Sequence, residues 1–416
     1  MDMQAKLRKY VVLAITVGTF WTSNVMSALS IIDLGTGGGT TSFAHGINDK
    51  GLVIGNIRIG NTNQNDHGFV WKKGVMTDLG TRIPYDLNDK GQMLFGNGVW
   101  YKGVITKFGP YPEPYPGHGS TSLYPQSINN EGQVLFAIYN DFDDKGAAFW
   151  EKGVFTKLPF FSYPEAMNER GQIITFNFGD HGYVWEKGVI TDLGGLGEFA
   201  GGLSFRGSKM AINNRGQVVG TFTTAANERH AFLWQSGVMT DLGTLGGLSQ
   251  NSPVENNFLP GNPKFGSGAV AINDKGQVIG FSLTPAGEHH AFLWQKGVMT
   301  DLGILGGPFS NHPKIDPIAI NNKGQVIGYS TEDHGIGQRR AFLWQKGVMT
   351  ELKPLPGASS AYIGAINNKG QIVGASGFPD INLNPDFNGD LPDFRATLWN
   401  SKCEKNEGKR EREERH

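Results

Sequence analysis

Cysteine is nearly absent from this sequence. Cys403 is the only one among 416 residues, so no internal disulfide exists and packing and strand pairing must hold the core. Charge of one sign is also missing. The formal net charge is −1, which supplies no basic field to recruit nucleic acid and no acidic excess of the kind that marks solvating tails. Long apolar runs are lacking too. The longest, Tyr10 to Trp21, is too short to span a bilayer comfortably. It follows Lys6, Arg8 and Lys9 and precedes Ala28-Leu29-Ser30, the order of a signal peptide with cleavage before Ile31, or after Ser27 as a second option. The expectation is a signal peptide over 1–30 and a mature chain without a membrane span, secreted or periplasmic.

Glycine, by contrast, is abundant at 60 residues, beside 26 Phe and 9 Trp. With no collagen period, that composition means tight turns between aromatic strands. The turns repeat. Residues 271–280 read Ala-Ile-Asn-Asp-Lys-Gly-Gln-Val-Ile-Gly, and His290-Ala-Phe-Leu-Trp-Gln-Lys-Gly-Val-Met-Thr-Asp-Leu-Gly303 follows after a variable stretch. The turn asparagine recurs as Asn48, Asn88, Asn129, Asn168, Asn213, Asn273, Asn321 and Asn367, each followed by one tryptophan of the series Trp71 to Trp399. Such self-similarity is the signature of a repeat architecture.

Each unit reads as four strands, here called a to d. Strand a is short and ends at Ile-Asn. Asn-Asp-Lys-Gly is a turn, because the asparagine side chain bonds the backbone two residues on and the glycine takes φ > 0. Strand b begins at Gln-Val-Ile-Gly. Strand c is His-Ala-Phe-Leu-Trp, Lys-Gly is a second tight turn, and strand d is Val-Met-Thr-Asp-Leu. Four antiparallel strands per unit is the blade pattern of a β-propeller, whose radial stacking covers both sheet faces. An open β-solenoid is the alternative. The termini favour a ring. Ile31-Ile32-Asp33-Leu34-Gly35 matches strand d but precedes the first unit, and the last unit stops after strand c at Trp399. A ring stitches these into one final blade with no free edge at the seam. The expected fold is therefore all-β, an eight-bladed propeller of thirty-two strands over 31–400, closed by the N-terminal strand and followed by a charged, disordered tail over 401–416.

The His230-Ala-Phe232 and His290-Ala-Phe292 units, with their Ile-Asn-x-x-Gly-Gln-x-x-Gly turns, resemble the HAF-repeat family of bacterial extracellular proteins. Several units depart from it, among them His67-Gly-Phe69, His181-Gly-Tyr183, Arg340-Ala-Phe342 and Arg395-Ala-Thr397, and the second unit is shortened. The resemblance implies export. It implies no reaction and no ligand.

Repetition also argues against chemistry at the conserved-looking positions. His67, His181, His230 and His290 occupy one strand position in different blades, whereas a metal needs converging ligands. Asp78, Asp192, Asp241 and Asp301 end strand d before glycine, where carboxylates accept turn N–H bonds. One acidic stretch is singular. Asn384-Pro-Asp386-Phe-Asn388-Gly389-Asp390-Leu-Pro-Asp393 alternates oxygen side chains around a glycine, as a loop wrapping Ca²⁺ does. It resembles the calcium loops of integrin-type propellers, with Asp393 one residue too close. The alternative is a polar surface loop.

Strand order puts the tight a–b and c–d turns at one end of the ring and the variable b–c and d–a connections at the other. The long connections carry Tyr111, Tyr115, His118, Phe199, Phe205, Arg206, Phe258 and Phe265, which could stack on sugars, dock a protein or pack down as loop anchors. The leading expectation is a monomeric, non-enzymatic binding module for a glycan or protein. The alternative is a carbohydrate-active enzyme with acidic residues at the ring centre, since glycoside hydrolysis needs two facing carboxyl groups.

Overall fold

A computed structural model describes residues 29–60, 66–110, 122–139, 145–159, 164–176, 181–195, 210–248, 264–305, 314–331, 339–378 and 393–401. The body Ser30–Asn400 is one compact unit. Among the described residues its only regular elements are strands, arranged as eight four-stranded antiparallel blades in a ring. Blade 6 is representative. Its strands are Ser267–Ile272, Val278–Leu283, His289–Gln295 and Val298–Asp301. Blade 2 is the shortest, with strands of two to four residues from Asp86 to Lys107, yet it keeps all four.

Blade 8 is made from both ends of the sequence. Ser360–Ile366, Gln371–Phe378 and Asp393–Ser401 supply strands a to c, and Leu29–Gly35 adds as strand d. Leu34 is 5% exposed and packs with Val373, Ala396 and Leu398 of blade 8 and with Ala44, Val53 and Phe69 of blade 1. Arg395 pairs with Asp33 at 3.2 Å, and Ser30 Oγ donates to the Asn400 carbonyl at 3.2 Å. The ring is therefore closed covalently on one side and by a paired strand on the other, which excludes the open solenoid.

The repeat motif makes sense as packing. The phenylalanine of His-Ala-Phe is wholly buried in Phe69, Phe232, Phe292 and Phe342. The glycine ending Gln-x-x-Gly lies opposite it across strands b and c in blades 5 to 7, as in the Gly280–Phe292 and Gly328–Phe342 pairs, and in blade 8 Gly374 faces Thr397 instead. A Cβ on Gly280 would sit 2.0 Å from the Gly268 carbonyl and 2.7 Å from the Phe292 ring. Glycine is required there for space, and the ring fills the gap its missing side chain leaves.

Two features depart from the expected pattern. Strand a is longer than the motif suggested, reaching seven residues in Thr41–Ile47. In most blades a register shift one residue before the motif, as between Ala44 and Gly46 or Pro317 and Ala319, interrupts its two-residue period. A bulge of this kind erases the alternation by which a strand is read. There is also a thirty-third strand, Lys264–Phe265, parallel to Glu228–Arg229. Strand d covers only the second half of strand c, so residues entering the next blade pair with the edge left open. His289 and Lys314 do the same between blades 6 and 7.

Candidate functional site

The a–b turns converge on the ring axis. In each, the asparagine Oδ1 accepts the backbone N–H of the residue four on, as Asn321 does from Gln325 at 3.0 Å. In most blades the N–H two residues on reaches the same oxygen, as Lys323 does on Asn321. That satisfies the turn and leaves the side-chain N–H₂ free to reach outward. It donates to the carbonyl of the next asparagine: Asn48 to Asn88, then Asn129, Asn168, Asn213, Asn273, Asn321, Asn367 and back to Asn48, at 2.8 to 3.3 Å. These asparagines are 3–5% exposed.

A second ring lies beside the first. The backbone N–H of each following residue donates to the side-chain oxygen of its counterpart one blade on. The order is Asp49, Asp89, Asn130, Glu169, Asn214, Asp274, Asn322, Asn368 and Asp49 again, at 2.5 to 2.9 Å. Asp274 Oδ2 takes further bonds from the amides of Asn214 and Asn322. These turns and the Ile-type residues before them line an axial depression of about 380 Å³.

Carboxylates and amides thus share the depression, and most of their polar atoms are used in joining blades. Burial pushes the Glu169 carboxyl above its ordinary range, with Asp89 and Asp274 adding repulsion. Asp86, on the inner strand of blade 2, stands where other blades have Gly46, Ser127, Ala166, Ala211, Ala271, Ala319 and Ala365. Burial pushes its carboxyl up to about 6, against the bonds it accepts from the N–H groups of Ile128 and Leu87. Both oxygens are occupied, so this lone acid ties blade 2 to blade 3. No cluster of three or more His, Cys, Asp or Glu able to hold a metal occurs among the described residues.

The motif histidines find partners on strand d of their own blade. His67, His181, His230 and His290 donate from Nδ1 to Asp78, Asp192, Asp241 and Asp301 at 2.8 to 3.0 Å. Each aspartate also accepts the N–H of the glycine two residues on, as Asp301 does from Gly303 at 2.7 Å. The two positions vary together. Blades 7 and 8 pair Arg340 with Glu351 and Arg395 with Asp33. Blades 2 and 3, with Gly96 and Gly146 in place of the histidine, carry Lys107 and Lys157 in place of the aspartate. The histidine bond holds Asp78 below the usual carboxylate range. Taken from the sequence, the histidines and aspartates have separate structural roles, strand packing for one and turn acceptance for the other. That exchange between blades was the available signal that they are one pair.

Of the residues expected to bind ligand, Tyr111, Tyr115, His118, Phe199, Phe205, Arg206 and Phe258 lie outside the described residues, as do Asn384, Asp386, Asn388 and Asp390 of the calcium stretch. Phe265 is half-buried and stacks between Phe281 and His289, with ring centroids 5.4 and 5.7 Å away. It is a loop anchor. Asp393 begins strand c of blade 8, exposed and opposite Phe378.

No family model and no curated protein matches the chain. Solved structures with a similar course of the backbone include the β-propeller domain of the trilobed protease from Pyrococcus furiosus, at 10% identity and TM-score 0.45 over 88% of this chain and 95% of that one. A lectin from Aleuria aurantia, bound to a fucosylated GlcNAc, aligns at 13% identity and TM-score 0.30 over 67% and 96%. TolB from Acinetobacter baumannii aligns at 10% identity and TM-score 0.32 over 68% and 80%. At these identities the likeness concerns fold alone.

Proposed function

We propose that the chain is an exported, non-enzymatic binding scaffold whose end of variable connections recognises a glycan or a protein. The observation that carries this reading is the contrast between the two ends of the ring. Most polar atoms of the axial depression are engaged in hydrogen bonds that join blades, and the long connections all leave from the opposite end. Variable loops on a rigid frame are where recognition is usually built. Export rests on the N-terminal segment and on the resemblance to HAF-repeat proteins. Cleavage after Ser27 keeps the Ser30–Asn400 bond of the closing strand, whereas cleavage after Ser30 removes it.

The test is a glycan array and an envelope-extract pull-down with the mature protein. Tyr111→Ala with Tyr115→Ala should weaken capture at least tenfold, about 1.4 kcal/mol, with an unchanged melting temperature. Gly276→Val should lower the melting temperature instead, because Gly276 holds φ at 77° and a β-branched residue resists it. Binding abolished by turn-end substitutions in a folded protein would overturn the assignment of ends. The stretch from Asn384 to Asp393 makes calcium part of the same proposal. EDTA should lower the melting temperature and millimolar Ca²⁺ restore it, whereas an unchanged melt, with Asp386→Ala also silent, retires the ion.

A further inference from the structure

The a–b and c–d turns emerge at the same end of every blade, because strands a to d form an antiparallel meander. That end carries two circles of cations around the axial depression. The third residue of the a–b turn is Lys or Arg in seven of eight blades, Lys50 and Lys275 among them, and Glu131 is the exception. All of these side chains are exposed. Farther from the axis, the first residue of the c–d turn is Lys in six of seven blades, Ser236 being the exception. Acidic groups share this end, with Asp49, Asp89, Glu169 and Asp274 in the depression and Glu131 and Glu186 beside Lys90 and Arg170, but the two circles of cations outnumber them.

The outer lysines are placed against local preference. Lys73, Lys102, Lys152, Lys187, Lys296 and Lys346 hold φ between 48° and 51°, a conformation that favours glycine or asparagine in a two-residue hairpin turn. Turn formation alone would select Asn-Gly. What lysine adds is a mobile charge on a long stem. The residue two positions on is an exposed valine, 62–66% accessible in Val75, Val104, Val154, Val189 and Val298 and 42% in Val348. The rim therefore alternates ammonium groups with small apolar side chains.

From this distribution we infer that the turn end is a docking face for an anionic lipid bilayer. A charge pattern spread evenly round a ring fits an extended surface of anionic headgroups. A small anion would need a single pocket, and a nucleic-acid strand would need a continuous groove. Many weak contacts would act together, each lysine near an anionic surface contributing about fivefold in affinity. The loop end would then face away from the bilayer, free for its own ligand.

The experiment is co-sedimentation of the mature protein with vesicles of phosphatidylcholine alone or of phosphatidylcholine with phosphatidylglycerol. Binding is expected only to the anionic vesicles, falling as salt shortens the screening length. A variant combining Lys50→Gln, Lys275→Gln, Lys296→Gln and Lys346→Gln should lose about a hundredfold or more. A matched variant at the loop end, with Arg82→Gln, Lys107→Gln, Lys157→Gln and Lys353→Gln, should bind as the parent does. Circular dichroism melts confirm that both remain folded. Failure of the parent to sediment with anionic vesicles at low salt would overturn the proposal, as would equal loss in the two variants. Binding to heparin or duplex DNA in preference to vesicles would also overturn it and assign the face to a soluble polyanion.

Discussion

The two ends of the ring differ in how much one blade depends on the next. At the turn end, each asparagine donates to its neighbour's backbone and receives the same bond from the other side. A change in one blade leaves a buried group unmatched in another, so the turns stay alike while the rest of the unit drifts. At the loop end, connections run from the two-residue turn of blade 2, Gly96-Asn97, to long insertions. There the described contacts are local anchors such as Phe265 on Phe281. Uniformity therefore marks where every blade is coupled to the next in the same way, whereas at the loop end coupling is piecemeal, as in the short pairings of Phe265 with Arg229 and of Lys314 with His289.

The largest test of this coupling removes a blade's last strand. A chain beginning at Thr36 loses the ladder bonds of Leu29–Gly35 and the burial of Leu34. Burial of one such side chain is worth about 1.5–3 kcal/mol, and the opened ring also strains both closed hydrogen-bond circles. The expected result is aggregation or a collapse of the melting temperature, on the scale of a domain's whole stability margin of roughly 5–15 kcal/mol. A truncated protein melting like the parent would break the comparison at its root.

A single ring position comes next. Asn321→Ala should cost about 3 kcal/mol, because it removes an acceptor serving two turn N–H groups and a donor to the Asn367 carbonyl. Asn321→Asp separates the two roles. It keeps the turn acceptor but loses both side-chain donors, so the ring predicts a loss nearly as large. An aspartate variant as stable as the parent, by denaturant titration, would mean that only the turn matters.

Asp86 sharpens the comparison from the one blade whose inner strand breaks the pattern. Its folded carboxyl, raised to about 6, is costlier to ionise than in the unfolded chain, where the ordinary value is about 3.9. Stability should therefore fall as pH rises from about 4 to about 6 and stay level above. The size is roughly 2 kcal/mol, below the full linkage value because the side chain keeps some solvent. Asp86→Ala, the residue of most other blades, should flatten this slope in melts taken across that range.

The smallest effect belongs to the motif histidine. His181 pairs with Asp192 within one blade and near the surface, its side chain 41% exposed, so His181→Ala should cost under about 1 kcal/mol. His67→Ala should let the Asp78 carboxyl rise toward its ordinary value, followed by NMR titration. Its depressed value stabilises the fold above the ordinary carboxylate range, a contribution lost as pH falls through it. A histidine loss as large as that of Asn321 would erase the distinction between contacts within a blade and contacts between blades.

Sequence by itself determined the strands b, c and d, the two tight turns and the closure of the ring. Each follows from local chemistry: glycine where φ is positive, asparagine bonding its own turn, and alternation along a strand. It also implied which end carries each set of connections, since an antiparallel meander leaves no choice. Strand a was legible only at its end, because its bulge breaks the period that reveals a strand. Tertiary structure alone decided what the asparagines do beyond their turns. A hydrogen bond between residues some forty to sixty positions apart has no local signature, and only their strict repetition in all eight units hinted at it. Asp86 stands out in Asp-Leu-Asn, where the other units have a small residue before Ile-Asn or Met-Asn, but its burial and its bond to the Ile128 N–H depend on the next blade. Periodicity describes one blade at a time, and the closed circles exist only when every blade is in place.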